Sequence, residues 1–104
     1  DYGWNIIINQ GDITNYKTPW KNRPFLNLKD ELEFAEPFRK TFLESIQRFS
    51  DKELNETEIV HPGNGDKKIL AKYLLRIAYH EAVHAGQFLS YLRAMNIERP
   101  KIWD

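Results

Sequence analysis

The chain has 104 residues, which is the size of one domain built around one hydrophobic core. Its 15 Lys and Arg balance its 15 Asp and Glu, so no domain-wide basic field exists to attract nucleic acid or an anionic membrane. Because there is no cysteine, a disulfide scaffold, a thiolate metal site and a cysteine nucleophile are excluded, and the composition is compatible with the cytoplasm. We therefore expect a single soluble domain over residues 1–104.

The first predicted element lies between Asp1 and Gln10. Ile6–Ile8 are three consecutive β-branched residues and could form a short buried strand. Alternatively, the segment is a helix in which Trp4, Ile7 and Ile8 share one face. Gly11 then follows just past the end of the helix, where glycine is a common terminator. We favour the helix.

The second element is an amphipathic helix predicted between Asn27 and Ser50, where apolar residues recur every three or four positions. Asn27 is suited to cap its start, and acidic residues occupy the positive first turn. Since Pro37 removes one helical hydrogen bond, we expect a kink or a break between Phe34 and Pro37. The apolar stripe consists of Leu28, Leu32, Ala35, Phe38, Phe42, Ile46 and Phe49.

The last third of the chain predicts a long helix from about Lys67 to Met95, with Asp66 as its N-cap. A short strand at Glu58–Val60 and a Pro-Gly-Asn-Gly turn at residues 62–65 precede it. Two long amphipathic helices bury their apolar faces most simply in a bundle, so the predicted fold class is all-α.

Two histidines in this last helix are candidate metal ligands. His80 and His84 are four residues apart, which places them about 40° apart around the helix axis and one turn apart along it. With Ile77, Phe88 and Tyr91 they form one i, i+3, i+4 row, so we expect both imidazoles to face the core. A metal ion would satisfy two buried imidazoles. The alternative is that both are ordinary helix residues.

The same residues satisfy the H-E-x-x-H pattern of zinc metalloproteases, in which Glu81 would be the general base. Such enzymes need a third ligand after the second histidine. The extended pattern places a glycine and a histidine where this chain has Gln87 and Ser90, and Glu98 follows just beyond the end of the same helix. The protease is therefore the least favoured of the enzyme interpretations.

A longer stretch around the histidines resembles a known family. Residues 79–100, "YHEAVHAGQFLSYLRAMNIERP", are similar to the final-helix signature of the DinB-like (bacillithiol transferase-like, DinB/YfiT-type) superfamily. In that signature a helical pair of histidines is followed by Gly-Gln, then Leu-Arg, a turn and often proline. The matching residues here are His80, His84, Gly86, Gln87, Leu92, Arg93 and Pro100.

A weaker similarity extends upstream, where residues 26–56 resemble the third helix of that family with its Ser-Asp-x-x-Leu ending. The resemblance implies an antiparallel four-helix bundle of DinB type, a homodimer, and a divalent metal held by three histidines. His80 and His84 match two of these ligands. The third is expected before Trp4 on the second helix, upstream of Asp1, so the chain is expected to lack the first helix and most of the second.

The enzymes that the sequence resembles use the metal to activate a low-molecular-weight thiol, which then attacks an electrophilic small molecule. A thiol S-transferase with zinc or nickel is thus the leading functional hypothesis, and its catalytic residues are not identified. Glu81 and Gln87 are candidates for supporting the metal ligands, and His61 is a candidate substitute ligand in a loop. The alternative is a non-catalytic helical dimerisation or binding module. Tryptophans expected in the core or a dimer interface are Trp4, Trp20 and Trp103.

Overall fold

The computed structural model describes residues 1–101 of the chain. Over this range it contains four helices and one two-stranded antiparallel sheet, so the predicted mainly helical class is confirmed. The chain divides into two compact units, the first covering Asp1–Tyr73 and the second beginning at Leu74. In chain order the elements are α1 (Tyr2–Ile8), α2 (Leu28–Gln47), α3 (Asp51–Glu56), β1 (Glu58–Val60), β2 (Lys67–Ile69) and α4 (Leu70–Ala94).

The N-terminal segment is a helix, as favoured over the strand. Its end is closed by two hydrogen bonds, from Gln10 N to Ile7 O at 3.0 Å and from Gly11 N to Ile6 O at 2.9 Å. Gln10 has φ of 55°, the left-handed conformation that such a termination requires. A Cβ atom on Gly11 would lie 3.0 Å from the Ile6 Cγ2 atom, so the turn favours glycine there.

Helix α2 begins as predicted, because the Asn27 side chain accepts a hydrogen bond from Asp30 N at 3.0 Å. The helix continues through Pro37, so the expected break is absent, while the alternative of a kink stays a prediction. Pro37 lacks an N–H donor, so it removes only one of the hydrogen bonds of this 20-residue helix. The hydrogen-bonded turns on either side keep the segment helical. The helix ends at Gln47, earlier than predicted, because Ser50 caps the separate helix α3.

A β-hairpin replaces the predicted start of the last helix. The predicted strand at Glu58–Val60 is confirmed, but it pairs with Lys67–Ile69, which were expected to be helical. The turn between them is closed by bonds from His61 N to Asp66 O at 2.7 Å and from Gly65 N to His61 O at 2.8 Å. This pairing uses the backbone groups that a helix starting at Asp66 would need, so α4 begins three residues later than predicted.

The first unit has a small apolar core. Trp4 packs its ring edge-on against Tyr73, with the ring centroids 6.0 Å apart, which fits the expected role of this tryptophan. Trp20 is 50% exposed, so it does not fill the core, and its place in a dimer interface stays a prediction. Trp103 lies outside the described residues. The buried apolar side chains of this unit are Ile8, Phe42, Ile59, Leu70 and Tyr73. Within residues 1–101, no helix combines the length and the apolar character needed to cross a bilayer.

Candidate metal centre

Helix α4 brings the two predicted ligands into direct contact. The Nε2 atoms of His80 and His84 lie 2.9 Å apart, and the two ring planes are at 80° to each other. Side chains four residues apart on a helix are neighbours on its surface, but this spacing does not require their ring nitrogens to converge. The convergence means that a single atom can be bonded by both.

Gln87 lies on the other side of the second imidazole. Its Oε1 atom is 2.9 Å from His84 Nδ1, and because a carboxamide oxygen only accepts, the Nδ1–H group donates. In the neutral ring the Nε2 lone pair of His84 is then directed toward His80. A ligand histidine held through its other ring nitrogen by a side-chain or backbone oxygen is the usual arrangement in metal sites.

The separation of the two Nε2 atoms fits a shared metal ion. Imidazole nitrogens stand about 2.0–2.1 Å from zinc, so two of them at a right angle are about 2.9 Å apart and at a tetrahedral angle about 3.3 Å apart. The observed 2.9 Å matches neighbouring positions of an octahedral ion. A tetrahedral ion would need the two Nε2 atoms to lie about 0.4 Å farther apart than observed.

The expectation that the histidine row faces the core is wrong for most of its length. Ile77 is buried, but His80 and His84 are exposed, and Phe88 and Tyr91 are 61% and 65% exposed. The apolar periodicity correctly grouped these residues on one helix face, but periodicity does not specify what covers that face. Because the two imidazoles are exposed, the cost of burying them is not an argument for a metal site. The argument for the site is the geometry of the two rings.

Glu81 and His61, the remaining candidate site residues, lie on different elements of the fold. Glu81 is exposed on α4, between the two histidines in sequence. His61 belongs to the first unit, where its Nδ1 atom accepts a hydrogen bond from Gly63 N at 3.1 Å, so the hairpin turn already uses one of its ring nitrogens. In the described part of the chain, no three His, Cys, Asp or Glu residues are grouped so that they could hold a metal ion.

Comparison with family models, with curated proteins and with solved structures found no match to this chain.

Proposed function

We propose that the protein is a DinB-like, metal-dependent small-molecule enzyme, in which His80 and His84 hold a divalent zinc or nickel ion. The single observation that carries this proposal is the 2.9 Å approach of their Nε2 atoms. The hydrogen bond from His84 to Gln87 supports it, because it orients the ring that would bind the ion.

In the proposed reaction, the thiolate of a low-molecular-weight thiol attacks the electrophilic carbon of a small molecule. The new S–C bond replaces the bond to the leaving group, which departs with its electron pair, and the thiol proton goes to solvent. A bound divalent ion would lower the pKa of a coordinated thiol and so favour the thiolate. The chain itself contains no cysteine, which is consistent with a nucleophile supplied by a cosubstrate. In this scheme Gln87 is a positioning residue, since it would act through His84.

The proposal further includes a four-helix bundle of DinB type with a third histidine ligand on its second helix, a homodimer and a cytoplasmic location. The helical conformation of the segment around Trp4 supports the assignment of α1 to the end of the ligand-bearing second helix. The capping of α3 by Ser50 agrees with a helix boundary at the Ser-Asp-x-x-Leu segment.

Metal titration of the purified protein tests the proposal. Zinc and nickel ions should bind in calorimetry, and His84→Ala should abolish binding, whereas the control variant His61→Ala should retain it. The loaded protein should then consume bacillithiol in the presence of an alkylating electrophile. No metal binding, or binding that is unchanged in His84→Ala, would reject the enzyme.

A non-catalytic dimerisation or binding module is the second candidate, and a specific observation favours it. Large apolar side chains are exposed on more than one side of α4, with Leu75 at 70%, Tyr79 at 72% and Met95 at 68%. Leu75 and Tyr79 are one turn apart on the same side of α4, and adjacent exposed apolar side chains of this kind are typical of an interaction surface. Self-association in sedimentation experiments, together with the absence of bound metal, would select this function.

The H-E-x-x-H protease makes a separate prediction. If Glu81 were the general base, Glu81→Gln would retain the metal and lose peptide cleavage. A protein that cleaves no peptide in its metal-loaded form rejects this third function without affecting the first two.

A further inference from the structure

The first unit contains a cavity that is separate from the histidine pair. It has a volume of about 340 Å³, which is within the usual range for small-molecule sites. Helix α1, the loop that follows it and the hairpin turn provide its walls, and all of them belong to residues 1–73. Side chains that line it include Trp4, Ile7, Ile13, Tyr16, Trp20 and His61.

The loop that closes this cavity is anchored at both ends. Its start is fixed by the backbone hydrogen bonds that Gln10 and Gly11 donate to the last turn of α1. Its end is fixed by Arg23, which forms ion pairs with Asp30 and Glu31 in the first turn of α2 and stacks 4.3 Å over the Phe34 ring. The intervening aromatic side chains are therefore carried by a segment whose two ends are held.

Tyr16 is one of those aromatic side chains, and it lies against α1. Its ring centroid is 5.7 Å from that of Tyr2. A Cβ atom on Gly3 would lie 3.3 Å from the Tyr16 hydroxyl, so the absence of a side chain at Gly3 leaves room for the ring. Burial raises the pKa of the Tyr16 hydroxyl, with a smaller contribution from Tyr2, so the phenol stays neutral at physiological pH.

The chemistry of the lining favours a cation over an anion. Trp4, Tyr16 and Trp20 supply three electron-rich ring systems, and tryptophan is the strongest cation–π partner among the aromatic side chains. Among the described residues that line the cavity, none is lysine or arginine. The carboxylate of Asp1 lies at the same cavity, with Arg39 3.3 Å from its Oδ1 atom.

His61 also lines the cavity. Because its Nδ1 atom accepts the hydrogen bond from Gly63 N, the neutral ring carries its proton on Nε2. The lining combines aromatic rings, aliphatic side chains, the His61 imidazole and the Asp1 carboxylate, which is paired with Arg39. This combination is the one that recognises methylated ammonium groups, which are too weakly hydrated to resist transfer to an apolar site.

We propose that the cavity binds a small organic cation bearing a quaternary or methylated ammonium group, through the aromatic faces of Trp4, Tyr16 and Trp20. Trp20 is half exposed, so it is accessible to a ligand that enters from solvent. The site is independent of the proposed metal centre, and neither proposal requires the other.

Choline and its neutral isostere, in which a tert-butyl group replaces trimethylammonium, provide a matched pair of probes. The two have nearly the same shape, so a difference in affinity measures the contribution of the charge. We expect choline to bind more tightly by a factor of about ten or more, as measured by calorimetry and tryptophan fluorescence. Equal affinity for the two probes, or binding of neither, would overturn the proposal.

Variants in the closing loop complete the test. Trp20→Leu should lose choline binding while its circular dichroism spectrum stays that of the parent, because the indole is half exposed. Trp20→Phe, which retains an aromatic face, should keep part of the affinity. Phe25→Leu changes a 74% exposed aromatic side chain of the same loop and should bind choline normally. If Trp20→Leu bound choline as tightly as the parent protein, choline would be binding outside this cavity, and the proposed site would be rejected.

Discussion

His84 donates its Nδ1–H group to Gln87 Oε1 over 2.9 Å, while its Nε2 atom lies 2.9 Å from His80 Nε2. The two contacts involve the two ring nitrogens of His84. Because the contact with Gln87 keeps the proton on Nδ1, the Nε2 atom of the neutral ring has a free lone pair directed toward His80. In the absence of metal, His80 supplies the proton between the two Nε2 atoms. A metal ion would take the place of that proton.

Replacing Gln87 should therefore weaken metal binding without removing a ligand. We expect Gln87→Leu to lower the affinity for zinc or nickel by a factor of about 10–100, the usual effect of losing such a supporting hydrogen bond. Gln87→Glu keeps an acceptor oxygen and should preserve or increase the affinity. Calorimetric titration measures both variants.

Ser90 offers a matched control for these variants. It lies on the same helix, and its Oγ atom donates to the Gly86 carbonyl at 3.0 Å rather than to a histidine. Ser90→Ala should bind metal like the parent protein. If Gln87→Leu did the same, the hydrogen bond to His84 would have no role in metal binding.

The capping box of α3 predicts a pH dependence. The Ser50 hydroxyl, and in second place its backbone N–H, hold the pKa of Glu53 below its ordinary value. A carboxylate with a lowered pKa in the folded state stabilises it above the unfolded-state pKa of about 4.3, and this contribution is lost as the pH falls through the lowered value.

NMR titration of the Glu53 side chain should show this lowered midpoint, and Ser50→Ala should move the midpoint upward. Ser50→Thr keeps both the hydroxyl and the backbone donor, so it should leave the midpoint low. An unchanged Glu53 midpoint in Ser50→Ala would mean that the box does not persist in solution.

Local signals in the sequence anticipated the helix boundaries that depend on local chemistry. Asn27 caps α2 as predicted, and the predicted strand at Glu58–Val60 is present. Helix α1 ends before Gly11 as predicted, but the left-handed residue of its termination is Gln10. The start of α4 was wrong because Asp66 and the residues after it have their backbone groups paired with the preceding strand. That pairing is a tertiary effect, which local capping signals do not contain.

The candidate sites differ in how far the sequence could locate them. That His80, His84 and Gln87 are neighbours on one helix face follows from spacings of three and four residues, whereas the contact between their polar atoms depends on the side-chain conformations. The exposure of the pair does not follow, because the covering of a helix face is not a local property. The aromatic cavity was missed because Tyr16 and Trp20 lie in a loop without periodicity, which gives no sign of what packs against it.

The end of α1 provides a test of backbone strain. Gln10 adopts φ of 55°, and a side chain in this conformation costs roughly 1–2 kcal/mol relative to the right-handed region. Gln10→Gly removes this cost but increases the entropy of the unfolded chain, so we expect a net stabilisation of up to about 1 kcal/mol. Urea denaturation measures the change.

Asn9 is the control for this substitution, because it precedes Gln10 and has φ of −91°. Asn9→Gly gives no relief of strain and removes the hydrogen bonds from its Nδ2 atom to Asn5 O at 2.8 Å and Asn5 Oδ1 at 3.1 Å, so it should destabilise the protein by about 1 kcal/mol. Equal effects of the two glycine substitutions would show that Gln10 is not held in the left-handed conformation in solution.

Strand β1 provides a test of the core of the first unit, because two adjacent aliphatic side chains face opposite sides of it. Ile59 is 1% exposed and Val60 is 51% exposed. Ile59→Ala should therefore lower the free energy of unfolding by about 2–5 kcal/mol, since it removes buried methyl groups and leaves a cavity. Val60→Ala should change it by less than about 1 kcal/mol, because its side chain keeps much of its contact with water when folded. Chemical denaturation followed by circular dichroism compares the two, and similar losses would show that the hairpin does not bury Ile59 in the register described.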